Sequence, residues 1–218
     1  MTAAENTDTV AASLARSPII GVVRTESTET AGIQARQLMA GGVELVEITF
    51  TVPGASNLVR ELLNERGPST ELAGPPWIGM GSVTTEARAR EAIAAGAEFI
   101  VSPNTSSAVA RVAHDTGKFL VMGALTPTEI VAATELGADL VKVYPLPAVG
   151  GASYLATVRG PLWDVDMLAA GGFGVDEIPA YRRAGARVFG MAAPLLLAGN
   201  GSAGENIAHA LEVARGRE

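Results

Sequence analysis

The sequence predicts a single-domain α/β protein, a (β/α)8 barrel of the TIM type. Three observations predict it. Short apolar runs alternate with amphipathic segments of helical period through nearly the whole of the 218 residues. The runs are continuous rather than alternating apolar and polar, as parallel strands covered on both faces require. Eight strands and eight helices in about 200 residues fit this barrel at its compact end.

The strand-like runs are Pro18–Val23, Leu45–Phe50, Trp77–Val83, Phe99–Pro103, Phe119–Leu125, Leu140–Tyr144, Asp166–Ala170 and Arg187–Met191. Helical patterns lie between them at Thr28–Ala40, Ser56–Asn64, Thr84–Ala95, Ser106–Thr116, Thr128–Leu136, Ser153–Val158, Val175–Ala184 and Glu205–Arg215. A small or apolar residue followed by glycine recurs at Ala40-Gly41, Ala95-Gly96, Leu136-Gly137 and Ala184-Gly185, each time leading into a strand. Glycine there reads as the left-handed residue that ends a helix. An open doubly wound sheet is the alternative, but no G-x-G-x-x-G follows the first strand. Residues 1–17 are expected to form an N-terminal segment, helical or partly disordered, ahead of a barrel over residues 18–218.

With 48% apolar residues the chain can bury a full core as one domain. A net charge of −7 with no basic stripe argues against a nucleic-acid groove. There is no cysteine, and the two histidines, His114 and His209, lie far apart, so neither disulfides nor metal-site spacing arise. No metal and no cofactor are expected. The polar, acidic start lacks the basic and apolar regions of a signal peptide, and no apolar run reaches the length of a membrane span. A cytoplasmic protein with a small-molecule substrate is the expectation.

Chemistry enters through lysine. Only Lys118 and Lys142 occur among sixteen basic residues, and Lys142 stands inside an apolar run, Leu140-Val-Lys-Val-Tyr144. Burial disfavours the ammonium form and leaves a free amine able to attack a carbonyl. Lys142 is the candidate Schiff-base nucleophile. Snorkelling to solvent, or pairing with a carboxylate such as Asp139, is the alternative reading. Glu47, flanked by Val46 and Ile48, is the candidate proton carrier; an ion pair with Arg24 is its structural alternative. In a barrel, functional groups project from the C-terminal ends of the strands. In order these are Arg24, then Glu47 with Thr49 and Thr51, Gly81-Ser82, Ser102-Pro-Asn104, Thr126, Lys142 with Tyr144, Gly171-Gly172, and Gly190 to Pro194. One amine, one carboxylate and one arginine suit a small keto acid. Gly171, Gly172 and Gly174, with a helix starting near Val175, would cradle a phosphate on backbone N–H groups.

Six motifs, in order and at matching spacing, carry a resemblance: Glu47-Ile-Thr-Phe-Thr51, Gly79-Met-Gly-Ser-Val83, Phe99-Ile-Val-Ser-Pro103, Thr126-Pro-Thr-Glu129, Lys142-Val-Tyr-Pro145 and Gly171-Gly172. From about Pro18 to Arg215 the chain resembles the 2-keto-3-deoxy-6-phosphogluconate (KDPG) and 4-hydroxy-2-oxoglutarate (KHG) aldolases. The resemblance implies a metal-independent class I pyruvate aldolase, commonly a homotrimer. It makes Lys142 the lysine that condenses with the keto carbon and Glu47 the carboxylate that moves protons through water. Ser82 stands where the family has threonine at the pyruvate carboxylate. Thr51 stands where many members have arginine, so that Arg24 supplies the anion contact instead. Tyr144 replaces a phenylalanine and adds a hydroxyl beside the substrate.

Two departures bear on specificity. The family's Pro-Thr-Gly-Gly is Ala169-Ala170-Gly-Gly here, and its Gly-Ser after the last strand is Met191-Ala192. Each lost hydrogen bond to a charged group is worth about 1.5–3 kcal/mol, so the two together weaken a phosphorylated aldehyde's binding by orders of magnitude. The expected reaction is cleavage of a 2-keto-3-deoxy-4-hydroxy acid such as KDPG or 4-hydroxy-2-oxoglutarate to pyruvate and an aldehyde. The alternatives are a Schiff-base lyase acting on a non-phosphorylated or otherwise different keto acid, or a barrel kept as a non-catalytic scaffold.

Overall fold

The structure, a computed structural model, describes residues 3–66 and 76–217. Eight parallel strands close into a barrel in sequence order: β1 Ile19–Val23, β2 Leu45–Thr49, β3 Trp77–Gly81, β4 Phe99–Ser102, β5 Phe119–Ala124, β6 Leu140–Val143, β7 Met167–Ala170 and β8 Val188–Ala192. The ring closes through Ile19–Val22 of β1 alongside Phe189–Ala192 of β8. Each strand lies within a run read from the sequence, except that β8 reaches one residue further, to Ala192.

Helices α1 Ala3–Arg16, α2 Thr28–Ala40, α3 Ala55–Glu65, α4 Glu86–Ala94, α5 Ser107–Asp115, α6 Pro127–Glu135, α7 Gly151–Arg159, α8 Ile178–Arg183, α9 Ala193–Leu197 and α10 Ala203–Arg215 supply the outer layer and the lower plug. One of the terminating glycines read from the sequence needs restating. Gly42 (φ 93°), not Gly41, is the left-handed residue after α2, matching Gly96, Gly137 and Gly185. Gly41 is instead needed for contact with α10, because a Cβ there would meet Ile207 atoms at 2.5–2.9 Å. The helix read as Val175–Ala184 begins as a 3-10 turn over Val175–Glu177 and becomes α-helical only at Ile178. The short α9 was not among the helical patterns.

Two apolar cores result. The larger lies between strands and helices. The smaller fills the lumen with Ile20, Leu45, Phe99, Val121, Leu140 and Leu168, alternate residues that point inward. Val10 and Leu14 of α1 join that inner cluster and close its N-terminal end, where Trp77 Nε1 donates to Ser13 Oγ at 3.0 Å. A floor packed this way leaves the chemistry to the C-terminal mouth.

The loops around the mouth are pinned by caps. Thr126 Oγ1 accepts from Glu129 N at 3.3 Å, while the Glu129 carboxylate accepts from the Thr126 and Leu125 N–H groups at 2.8 and 2.9 Å. Those backbone donors, Thr126 first, hold the Glu129 carboxyl below its ordinary range. A depressed carboxyl contributes stability that is present above its unfolded pKa and is lost as pH falls through the folded value. Glu129→Gln is therefore expected to lower Tm at pH 7, by roughly 2–4 °C if the cap is worth about 1 kcal/mol. Melts at progressively lower pH should show variant and wild type converging as the Glu129 carboxyl protonates.

Candidate active site

In a closed ring of eight strands, β2 and β6 stand on opposite sides, and each sends a polar side chain across the lumen. Lys142, between Gly123 of β5 and Leu168 of β7, points inward, as does Glu47, between Val22 of β1 and Gly79 of β3. They meet near the axis, with Lys142 Nζ 3.7 Å from Glu47 Oε2. Lys142 is 8% exposed and Glu47 1%. Neither alternative partner read from the sequence is used. Arg24 is exposed and has no hydrogen bond or ion pair among the described residues. Asp139, at the far end of β6, accepts from Leu120 N at 2.7 Å, and burial pushes its carboxyl up.

Room for these side chains comes from small residues at the same level of the wall. Gly81 is the sharpest case: a Cβ there would overlap the Glu47 carboxyl, so glycine is what lets the carboxylate lie against β3. A Cβ on Gly123 would run into the backbone of Pro103 and Asn104, where the loop after β4 folds over the mouth. That loop is held by Ser102, fully buried, whose hydroxyl donates to Asn104 O at 2.7 Å. Glu47 Oε1 is itself buried and has no hydrogen-bond partner among the described residues. A buried carboxylate oxygen left unpaired carries a cost, which a substrate or water proton would relieve.

The remaining sequence candidates ring the mouth. Ser82, the residue after β3, has φ 59°, a left-handed value uncommon outside glycine. Its carbonyl accepts from Arg88 Nη1 at 3.2 Å. Arg88 also donates to Thr84 Oγ1 at 3.1 Å and lies 5.5 Å from the Phe50 ring centroid. Sequence reading missed Arg88, since on α4 it looks like one more solvated charge. Tyr144 is 39% exposed, with its ring centroid 5.7 Å from Lys142 Nζ. Thr49 Oγ1 lies 3.1 Å from Val23 O and 2.7 Å from Thr51 Oγ1. If Thr49 gives its single proton to the carbonyl, Thr51 must donate to Thr49 and keeps only lone pairs. Arg24 is then the better match to a carboxylate at this edge.

Beyond β7, Gly171 and Gly172 adopt φ 138° and 91°. A side chain on Gly171 would press on Pro147 Cδ and Leu146 N, at 2.6 and 2.9 Å, whereas the Cβ position on Gly172 meets nothing within 4 Å. The cradle expected from Gly174 is altered: its N–H already donates to Glu177 Oε2 at 2.7 Å. Among the described residues no cluster of three or more metal-type ligands occurs, and no helix is long and apolar enough to cross a membrane.

The structure is thus an eight-stranded parallel enzyme-type barrel with an amine and a carboxylate facing each other at the axis of its mouth. The family model described as KDPG and KHG aldolase matches residues 10–202. The chain belongs to that family, and is an aldolase, a carbon–carbon lyase. It is 30% identical over 173 residues to a 2-dehydro-3-deoxy-phosphogluconate aldolase of Treponema pallidum, covering 79% of each chain. It is 31% identical over 179 residues to a probable 2-dehydro-3-deoxy-6-phosphogalactonate aldolase of Rhizobium meliloti, covering 82% of this chain and 81% of that one. A solved 4-hydroxy-2-oxoglutarate/2-dehydro-3-deoxyphosphogluconate aldolase superposes with TM-score 0.76 at 27% identity, over 94% of this chain and 96% of the other. The Zymomonas mobilis KDPG aldolase, at 23% identity, shares the fold with TM-score 0.76 over 94% of each chain.

Proposed function

We propose that the chain is a class I aldolase that cleaves a 2-keto-3-deoxy-4-hydroxy acid through a Schiff base on Lys142, with Glu47 carrying the protons. The 3.7 Å approach of Lys142 Nζ to Glu47 Oε2 in a buried lumen carries this reading. A carboxylate at that distance is an ion-pair partner that can take the proton of an ammonium group through one water or after a small approach, and by the same route can protonate a departing hydroxyl.

The neutral amine attacks C2 of the keto acid, and the carbinolamine loses water with a proton from Glu47. The resulting iminium accepts the electron pair of the breaking C3–C4 bond, and the C4 hydroxyl passes its proton through water to the Glu47 carboxylate as the aldehyde forms. The enamine left on Lys142 regains a proton at C3 from Glu47 through water. Hydrolysis then frees pyruvate and the lysine. Arg24, exposed and unpaired among the described residues, would hold the C1 carboxylate with Ser82, the left-handed residue that follows β3. Tyr144 and the Gly171-Gly172 turn would border the departing half. Family resemblance is the ground for expecting a homotrimer.

Intact-mass measurement after incubation with pyruvate and borohydride tests the reading. A single reduced adduct mapping to Lys142 is the expected result. No adduct on folded protein would remove the Schiff base and, with it, the assigned roles.

A further inference from the structure

The side of the mouth that would face the aldehyde half has a chemistry of its own. Along β7 and β8 the inward positions are Ala170, Gly190 and Ala192. Ala170 and Gly190 are register partners, with Ala170 Cβ 3.2 Å from where a Gly190 Cβ would stand. None of the three offers a side-chain donor. The turn beyond β7 offers fewer backbone donors than its glycines suggest. Gly174 N–H is taken by the Glu177 carboxylate at 2.7 Å, and Asp176 Oδ1 lies 2.5 Å from the Cβ position of Gly174. After β8, α9 opens on Ala192 with no side-chain cap, and Pro194 within it has no N–H.

Charge points the same way. The loops after β7 and β8 bring two carboxylates, Asp176 and Glu177, and no cation. The arginines of that stretch lie at the other end: Arg182 and Arg183 in the last turn of α8, and Arg187 paired with Asp166 at 2.9 Å. At the mouth Lys142 faces Glu47, Arg88 is tied to Ser82 and Thr84, and Arg24 stands after β1 for the keto-acid carboxylate. Among the described residues the loops after β7 and β8 place no cation for a second anion, and a phosphate held at those loops would share them with two carboxylates. Carboxylates accept hydrogen bonds and donate none, so what they recognise is hydroxyl protons. The Tyr144 hydroxyl, on the neighbouring strand end, has no hydrogen-bond partner among the described residues and can add a donor or acceptor.

We propose that the aldehyde half of the substrate is uncharged: the barrel cleaves a 2-keto-3-deoxy acid whose chain beyond C4 bears hydroxyls, without a phosphate or a second carboxylate. This rests on the Schiff-base reading, and the bonds broken and formed are those already given. Asp176 and Glu177 set the specificity by repelling anions and accepting from hydroxyls. Ala170 and Ala192 set it by withholding the donors a phosphate requires.

The experiment compares kcat/KM for pyruvate release from 2-keto-3-deoxygluconate, its 6-phosphate and 4-hydroxy-2-oxoglutarate. The expected result favours the uncharged substrate by about tenfold or more, a difference of about 1.4 kcal/mol. A smaller ratio, or a preference for either anionic substrate, overturns the inference. Ala192→Ser combined with Glu177→Gln should then move the ratio about tenfold towards the phosphate; an unmoved ratio overturns the roles of these residues. Pyruvate trapping on Lys142 separates the two levels, since pyruvate has no aldehyde half. An adduct with no cleavage of the uncharged acid overturns the inference alone, whereas no adduct overturns the underlying reading.

Discussion

Lys142→Ala is expected to lose all measurable retro-aldol turnover, a fall on the order of 10⁴ or more. Removing the amine removes the electron sink, and nothing nearby replaces it. The other lysine, Lys118, precedes β5 at the N-terminal end of the barrel, where its backbone N–H bonds Ala113 O. No second lysine can therefore reach a keto acid held at the mouth. The alanine variant also leaves Glu47 buried without its partner, so misfolding has to be separated from lost chemistry. Lys142→Met serves for this, because it keeps the unbranched length between Gly123 and Leu168. A folded methionine variant that forms no borohydride adduct and cleaves nothing fits the mechanism. Measurable cleavage by either variant would sink it.

The strands were legible because each is buried on both faces and so reads as an unbroken apolar run. That background is also what made Lys142 and Glu47 conspicuous, as each interrupts such a run. That both would face one mouth was legible from the strand ends; which partner each would take was not. Sequence left Glu47 equally free to pair with Arg24, and Lys142 with Asp139, because nothing local encodes which strands face each other across a closed ring. The 3.7 Å contact is a product of barrel closure. Caps show the same division. Thr126-Pro-Thr-Glu129 displays its capping box in the residues themselves. Gly174 hides the Glu177 cap, because a glycine at that position gives no side-chain signal and only the N–H is engaged. The left-handed Ser82 was hidden too, since a serine announces no positive φ. Five-residue α9 is too short to show a period.

For Glu47→Gln, imine formation and turnover are expected to slow by about 10²–10⁴, the usual worth of a placed acid–base group. Glutamine keeps the size of the side chain but cannot take or return a proton. The amine remains, so slow trapping of pyruvate on Lys142 should persist while cleavage is nearly lost. Rates near wild type would remove Glu47 from its role. Gly81→Ala tests position rather than charge. Its methyl would fall on the Glu47 carboxyl, in a lumen where that side chain is 1% exposed and has little space to yield. Displacing a reacting group by about 1 Å can cost 10² in rate, so the alanine variant should lose most of its kcat with the carboxylate still present. Adding Glu47→Gln to Gly81→Ala should then cost much less than it does in the wild type, because both changes disable the same group. Fully additive losses would mean that Gly81 acts through something other than Glu47, most simply through Ser82, the next residue along the chain.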